Sequence, residues 1–299
     1  MTLVAVPADS SSVAGALVYW ALSGIVDQQD LYEQAEIAEL GELFMPEEAS
    51  LETCVLRAAE NCISTKQVGR KIMIRPVAKR NRWDLVEEQV VTTLGTNGEK
   101  DRESLKYTEL VRIQVERQAD NSRTVSVTPS RGEETELADQ IKAMVPTFKG
   151  IMTANDVSSW LLHVVRGYVH AVSLRERGGF YFVPRDQMEK WKTVMGCVRA
   201  VSDHKLFEIP AMQSEEAVEA ILEAVRKEAD GQMTDLETYL AGEVSTKGLN
   251  AWERTLELTQ AKMERYAALL GVALPDLESK AETLQGALVA ARIKKAAEK

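Results

Sequence analysis

The sequence predicts an α+β protein, with winged-helix-like modules and antiparallel β-hairpins followed by an α-helical, coiled-coil-like C-terminal part. Three observations carry that expectation. Apolar residues recur at three- and four-residue steps through most of the chain. Two stretches, around 71–91 and 105–127, instead carry β-branched or alternating apolar residues on either side of short polar turns. After Met212 the helical period continues through three successive apolar stripes. The expected division is a winged-helix-like domain with a basic wing (1–95), an α+β domain with a second hairpin and a second winged-helix-like module (96–212), and a helical region (213–299).

Taken in order, Ser10-Ser11-Ser12 lead into a first expected helix, with Val13, Leu17, Trp20 and Ala21 on one side and Gly24 at its end. Asp27 or Asp30 caps a second, with Leu31, Ala35, Ala38 and Leu40 inward. Pro46 breaks the pattern, and Ser50 opens a third that aligns Leu51, Cys54, Val55, Ala58, Ala59 and Cys62. A strand over 71–77, a turn at Ala78-Lys79-Arg80-Asn81, and a return strand with Trp83, Leu85, Val90 and Val91 make the wing. Helix, helix, helix, wing is the winged-helix order. In the second hairpin Leu105, Tyr107, Val111, Ile113 and Val115 share odd parity, which predicts one common face, and Asp120-Asn121 turns the chain toward Val125 and Val127.

Helices are then expected around Leu137, Ile141 and Val145, and after Asn155-Asp156 with Val157, Trp160, Leu161, Val164, Tyr168 and Ala171 as its stripe. Strands at 180–183 and 206–209 flank another helix at 187–201. In the C-terminal region Trp252, Leu256, Thr259, Met263, Tyr266 and Leu270 form one seam; Leu277, Ala281, Leu284, Leu288 and Ala291 form the next, with Gly271 and Pro275 between them. Such a seam is satisfied by its own neighbour or by another copy of the chain.

The segment from Asn155 through Gly178-Gly179-Phe180-Tyr181-Phe182-Val183-Pro184 resembles a pattern found in uncharacterised bacteriophage and mobile-element proteins of unknown function. The resemblance spans a small part of the chain and carries no catalytic motif. It implies a phage or prokaryotic setting.

Charge is distributed unevenly. The chain has a formal net charge of -10, yet Lys66, Arg70, Lys71, Arg75, Lys79, Arg80 and Arg82 follow one another with no acid between them. The 65 residues before them hold eleven acids and one base, Arg57. Bases concentrated around a turn are not explained by pairing along a helix. They read either as an intramolecular partner of the acidic segments or as a surface for a polyanion, with Trp83 as a stacking ring. The polar side of the third expected helix carries Glu52, Arg57, Glu60 and Asn61, a poor set for reading a major groove.

Other chemistry finds little support. Neither glycine-rich phosphate loop occurs, and His163, His170 and His204 fit no zinc motif. The helix expected after Asn155 would place His163 and His170 on one face. Cys54, Cys62 and Cys197 read as reduced core thiols of a cytoplasmic protein, and the apolar run near the start is too short and interrupted to span a bilayer. The expectation is a non-catalytic binding or adaptor protein with no cofactor and no metal, soluble rather than membrane-bound. It contacts nucleic acid, or an acidic protein surface, through the wing and assembles as a homo-oligomer through its C-terminal helices. The alternative is a structural subunit whose acidic and basic surfaces meet between copies, without nucleic acid.

Overall fold

The computed structural model describes residues 13–66, 71–77, 82–94, 100–175, 179–212 and 214–297. In chain order the elements are β1 (Val13–Ala21), β2 (Ile25–Asp27), α1 (Gln28–Ile37), α2 (Leu51–Lys66), β3 (Lys71–Pro76), β4 (Arg82–Leu94), β5 (Lys100–Arg117), β6 (Arg123–Pro129), α3 (Thr135–Met144), β7 (Ile151–Thr153), α4 (Ala154–Gly167), β8 (Val172–Ser173), β9 (Tyr181–Pro184), α5 (Met188–Val201), β10 (Lys205–Met212), α6 (Glu215–Ala241), α7 (Thr246–Leu270) and α8 (Pro275–Ala297). The protein is therefore mixed α and β with antiparallel sheets and a helical C-terminal region.

The chain folds into two compact units that do not follow the linear boundaries at 95 and 212. One, the bundle unit, takes the described residues up to Gly24 together with Glu33–Met45 and Ala154 onward; the other, the meander unit, is Ile25–Tyr32 with Pro46–Thr153. The discontinuity arises from β1. Expected as a helix, residues 13–21 form instead an inner strand of the sheet ordered β10-β1-β9-β8, antiparallel to both neighbours. The helix expectation failed because a strand covered on both faces is apolar at nearly every position, so any period can be read into it. Ala14, Ala16 and Val18 are buried, and Leu17 packs against the bundle core. With that strand in place of a helix, the expected helix-helix-helix-wing order is absent from the described residues.

In the bundle unit α6, α7 and α8 pack on one another. The stripes that the sequence marked as seams close on α6: Leu256, Met263, Tyr266, Ala281, Leu284 and Leu288 share a core with Ile221, Val225, Ala229, Met233 and Leu236, which extends to Phe182 and Val172 of the sheet. Ser214 and Ser245 cap α6 and α7 through their hydroxyl oxygens, and Gly271 ends α7 in the left-handed conformation. Trp20 of β1 stacks on Tyr181 and donates to Ser158 Oγ of α4 at 3.0 Å.

The meander unit holds the sheet β3-β4-β5-β6, both hairpins lying where the sequence placed them. The helices α2 and α3 cover one face. Cys54, Val55, Ala58, Ala59 and Cys62 of α2 and Leu137, Ala138 and Ile141 of α3 meet Leu85, Val111, Ile113, Val115 and Val127. The odd parity expected through β5 does not survive. A bulge shifts the register so that Leu85 opposes Val111 while Val86 opposes Glu109, and Leu110 is the extra residue. One inserted residue exchanges faces, so Val111, Ile113 and Val115 face the helices, Tyr107 lies on the opposite face, and Leu105 is 55% exposed.

Candidate functional site

The outer face of the meander sheet is built by register. Residues opposed across an antiparallel pair share a face, which puts Arg82 beside Gln114 and Ser126, Arg75 in line with Asp84, Arg112 and Thr128, and Lys71 in line with Glu88 and Tyr107. Lys71, Arg75 and Arg82 are thus brought together on one surface. Trp83 is not: its neighbours in register are Pro76, Ile113 and Val127, and it packs, half-buried, against the helix-covered core on the other face of the sheet. Arg70, Lys79 and Arg80 lie outside the described residues, and Lys66 ends α2 with its side chain also outside them.

The three described cations have partners. Lys71 donates to the Glu88 carboxylate, whose other oxygen accepts from the Tyr107 hydroxyl at 3.1 Å. The Lys71 hydrogen bond, aided by Tyr107 and the charges of Lys71 and Arg75, holds the Glu88 carboxyl below the usual range. The Arg75 guanidinium lies over the Tyr107 ring, 3.6 Å from its centre. Arg82 forks onto Asp84 at 3.1 and 3.3 Å. Arg112 reaches Asp84 at 3.8 Å and Glu109 at 3.0 Å, and Ser130 Oγ donates to Glu109 at 2.9 Å. The result is a charge mosaic in which one carboxylate, Asp84, serves two guanidiniums. An open hollow of about 710 Å³ lies over its polar part, lined by Tyr107, Arg112, Gln114, Ser126 and Thr128 among others. Arg123 of β6 is engaged elsewhere, one guanidinium nitrogen donating to both carboxylate oxygens of Glu52 at 2.7 Å.

Arg292 of α8 is likewise held at home, gripping Glu253 and Asn250 at 2.6 to 3.1 Å. All three cysteines are buried and none forms a disulfide; burial pushes the Cys54 and Cys197 thiols up, away from reactivity. Among the described residues, no three His, Cys, Asp or Glu side chains cluster so that they could hold a metal ion. His163 and His170 do not share a helix face, because α4 stops at Gly167. His163 bonds the Leu43 carbonyl at 2.9 Å, and His170 follows in the left-handed conformation, φ 57°.

His170 lies against the polar side of the bundle. Burial, and after it the charges of Arg265, Lys262 and Lys190, outweigh Asp186 and push its imidazole down to about 4. The ring is therefore neutral in the fold, with Nδ1 buried and unpartnered. The unfolded chain takes up this proton near 6.5 and the folded one only near 4, so stability is full above 6.5 and falls as the pH drops between the two. His204, 3% exposed and lowered by burial, acts in the same direction. Thermal denaturation at about pH 7 and about pH 4.5 is expected to show a fall in Tm. In His170→Asn, where asparagine tolerates the left-handed backbone, that fall is smaller.

A second constellation, with no signal in the sequence, sits in the bundle unit. Lys262 of α7, inside an apolar stripe, is 7% exposed and donates to the Ala171 carbonyl at 2.9 Å and to Glu228 Oε1 of α6 at 2.6 Å. Burial lowers the affinity of its amine for a proton, and Glu228 offsets part of that effect. One turn on, Tyr266 Oη donates to the carbonyl oxygens of His170 and Phe182 at 3.1 and 3.2 Å, and burial raises its phenol well above the ordinary value.

Comparison with known proteins gives a family whose function is not known. A family model described as a family of unknown function (DUF6744) matches residues 13–298, and the chain belongs to that family. The description lends no support to the phage setting implied by the segment ending at Pro184. No curated protein and no solved structure matches the chain. Among the described residues no helix is long and apolar enough to cross a membrane.

Proposed function

We propose that this member of a family of unknown function is a non-catalytic binding protein that holds single-stranded nucleic acid across the outer face of its meander sheet. The observation that carries the reading is the sharing of Asp84. Arg75, Arg82 and Arg112 stand in adjacent rows; Arg82 and Arg112 reach Asp84, Arg112 also pairs with Glu109, and Arg75 lies over an aromatic ring. Three guanidiniums thus meet two carboxylates, Asp84 and Glu109, and the sequence adds Lys79 and Arg80 between Arg75 and Arg82. Hydroxyl and amide groups of Ser126, Thr128 and Gln114 lie beside the three guanidiniums, the kind of groups that contact phosphate and sugar. The stretches of sequence in the meander unit, 25–32 and 46–153, hold 17 Lys and Arg against 19 Asp and Glu, whereas the rest of the chain holds 19 against 27. The repulsion of polyanions implied by the net charge therefore comes mainly from the other unit.

Fluorescence anisotropy with a labelled single-stranded oligonucleotide tests the proposal. Retention is expected at low salt, with a log–log salt slope of about -2 for three phosphate contacts, and loss of retention in R75E/R112E and in K79E/R80E/R82E. Asp84→Asn removes the shared carboxylate and is expected to tighten binding about fivefold, the equivalent of about 1 kcal/mol. Wild-type protein that retains no oligonucleotide, or charge-reversed variants that bind as before, would refute it. Light scattering of the same variants without nucleic acid separates the rival reading, in which basic and acidic surfaces join copies of the chain: that reading requires the mass to change. The seams of the C-terminal helices are covered within the bundle, so no assembly role is assigned to them.

A further inference from the structure

The buried ammonium of Lys262 borders a cavity, and the cavity has a second cation. A hollow of about 290 Å³ is lined by Lys262, Arg166, Glu228, Gln232, Thr259 and neighbouring residues of α4, α6 and α7. An ammonium has three N–H donors, and the bonds to Ala171 and Glu228 use two. The Gln232 carboxamide oxygen accepts from the Thr259 hydroxyl, which leaves the amide NH₂ as a donor. Arg166 is exposed; its guanidinium is 6.0 Å from the Tyr181 ring centre, and among the described residues it forms no ion pair. Its charge is nonetheless near enough to weigh against the protonated form of Lys262. A second hollow, about 510 Å³, shares Arg166, Glu228 and Gln232; its added cations, Arg175 and Lys227, are matched by Glu223 and Asp235.

The excess of cations is therefore confined to the smaller hollow, where Arg166 and Lys262 meet Glu228. Glu228, the carboxylate common to both hollows, is already engaged by Lys262. Two cations facing one cavity with a single acid between them leave a site of net positive character in the more acidic part of the chain. Its volume is that of a small molecule rather than a polymer, which separates it from the open sheet face of the meander unit.

We propose that this cleft binds a small organic anion, a carboxylate or phosphate compound, through Arg166 and the remaining N–H of Lys262, with the Gln232 amide as a further donor. Guanidinium and ammonium together supply charge-assisted bonds that a carboxylate or phosphate group accepts in pairs. The ligand neutralises the charge that Arg166 imposes on Lys262.

Calorimetric titration of the full chain with inorganic phosphate and, separately, with succinate, each at constant ionic strength against a chloride control, tests this. At least one anion is expected to give saturable binding and to raise Tm. Binding of phosphate alone assigns a phosphate ester, and binding of succinate alone assigns a carboxylate. Arg166→Gln, a change at an exposed residue that leaves the core intact, is expected to weaken binding tenfold or more, while Arg292→Gln, at a residue of α8 that lines neither hollow, leaves it unchanged. Absence of saturable binding by both anions, or an Arg166→Gln protein that binds as tightly as wild type, would overturn the proposal. Because Arg166 belongs to the bundle unit and the oligonucleotide site is built from residues of the meander unit, Arg166→Gln is also expected to leave oligonucleotide retention intact.

Discussion

Adding a single methyl group at Gly15 is expected to destabilise the protein by about 3 kcal/mol or more, a cost at the upper end for overpacking a core. A Cβ there would stand well inside van der Waals contact of the Val183 carbonyl oxygen and 2.8 Å from Phe182 Cζ. Neither neighbour can give way. The carbonyl belongs to β9, which is paired with β1 across this point, and Phe182 is fully buried in the bundle core. Relief requires the two strands to separate where β1 already changes register against β10. Urea denaturation of Gly15→Ala is the measurement. Gly286→Ala is its control: that glycine is exposed in the interior of α8 with open space around it, and the change is expected to stabilise by about 0.5–1 kcal/mol. Equal responses at the two positions would show that the β1–β9 contact is not close.

Lys262→Met is expected to cost about 3 kcal/mol. Burial of the ammonium is tolerated because the Ala171 carbonyl and Glu228 take up its donors; without it, Glu228 keeps its charge in a site only 19% exposed, with no counter-ion at its Oε1. An uncompensated buried charge costs about 3–5 kcal/mol, and the partial exposure of Glu228 places the effect at the low end. The double variant Lys262→Met with Glu228→Gln removes both charges and is expected to recover most of the loss, so the coupling energy from a double-mutant cycle in urea should be large and of the sign that marks a pair. Additive effects of the two single changes would show that the ion pair does not operate as one.

Much of this architecture was visible before any coordinates. The helices α2 to α8 each bury one side, and a one-sided element writes its period into the sequence; Leu137, Ala138 and Ile141 of α3 or Val157, Trp160 and Leu161 of α4 are buried where that period puts them. Both hairpins were readable from their turns and β-branched content. What could not be read is whatever depends on a distant partner. β1 is apolar on both sides, and its neighbours β9 and β10 lie far along the chain, so neither its type nor its place in the bundle unit had a local signature. The bulge at Leu110 is a one-residue event that no pattern marks, yet it sends Tyr107 to the outer face. The basic residues of the candidate site were legible as charge; Glu88, Asp84 and Tyr107, which decide what that charge does, become its neighbours only through register. Lys262 occupies a position in an apolar stripe where a lysine stem is indistinguishable from one reaching solvent.

The pairing of Trp20 with Leu206 has a consequence for biosynthesis. During translation the first strand leaves the ribosome well before its partners exist, and at roughly 5–20 residues per second it waits many seconds for them. The intervening stretch 46–153 can mature meanwhile, since nearly all its strands and helices are contiguous. An apolar strand held open for that interval is a target for holdase chaperones and for association between nascent chains. Arrested chains ending near position 175 should therefore bind such chaperones through residues 13–21, and chains extended past 212 should release them.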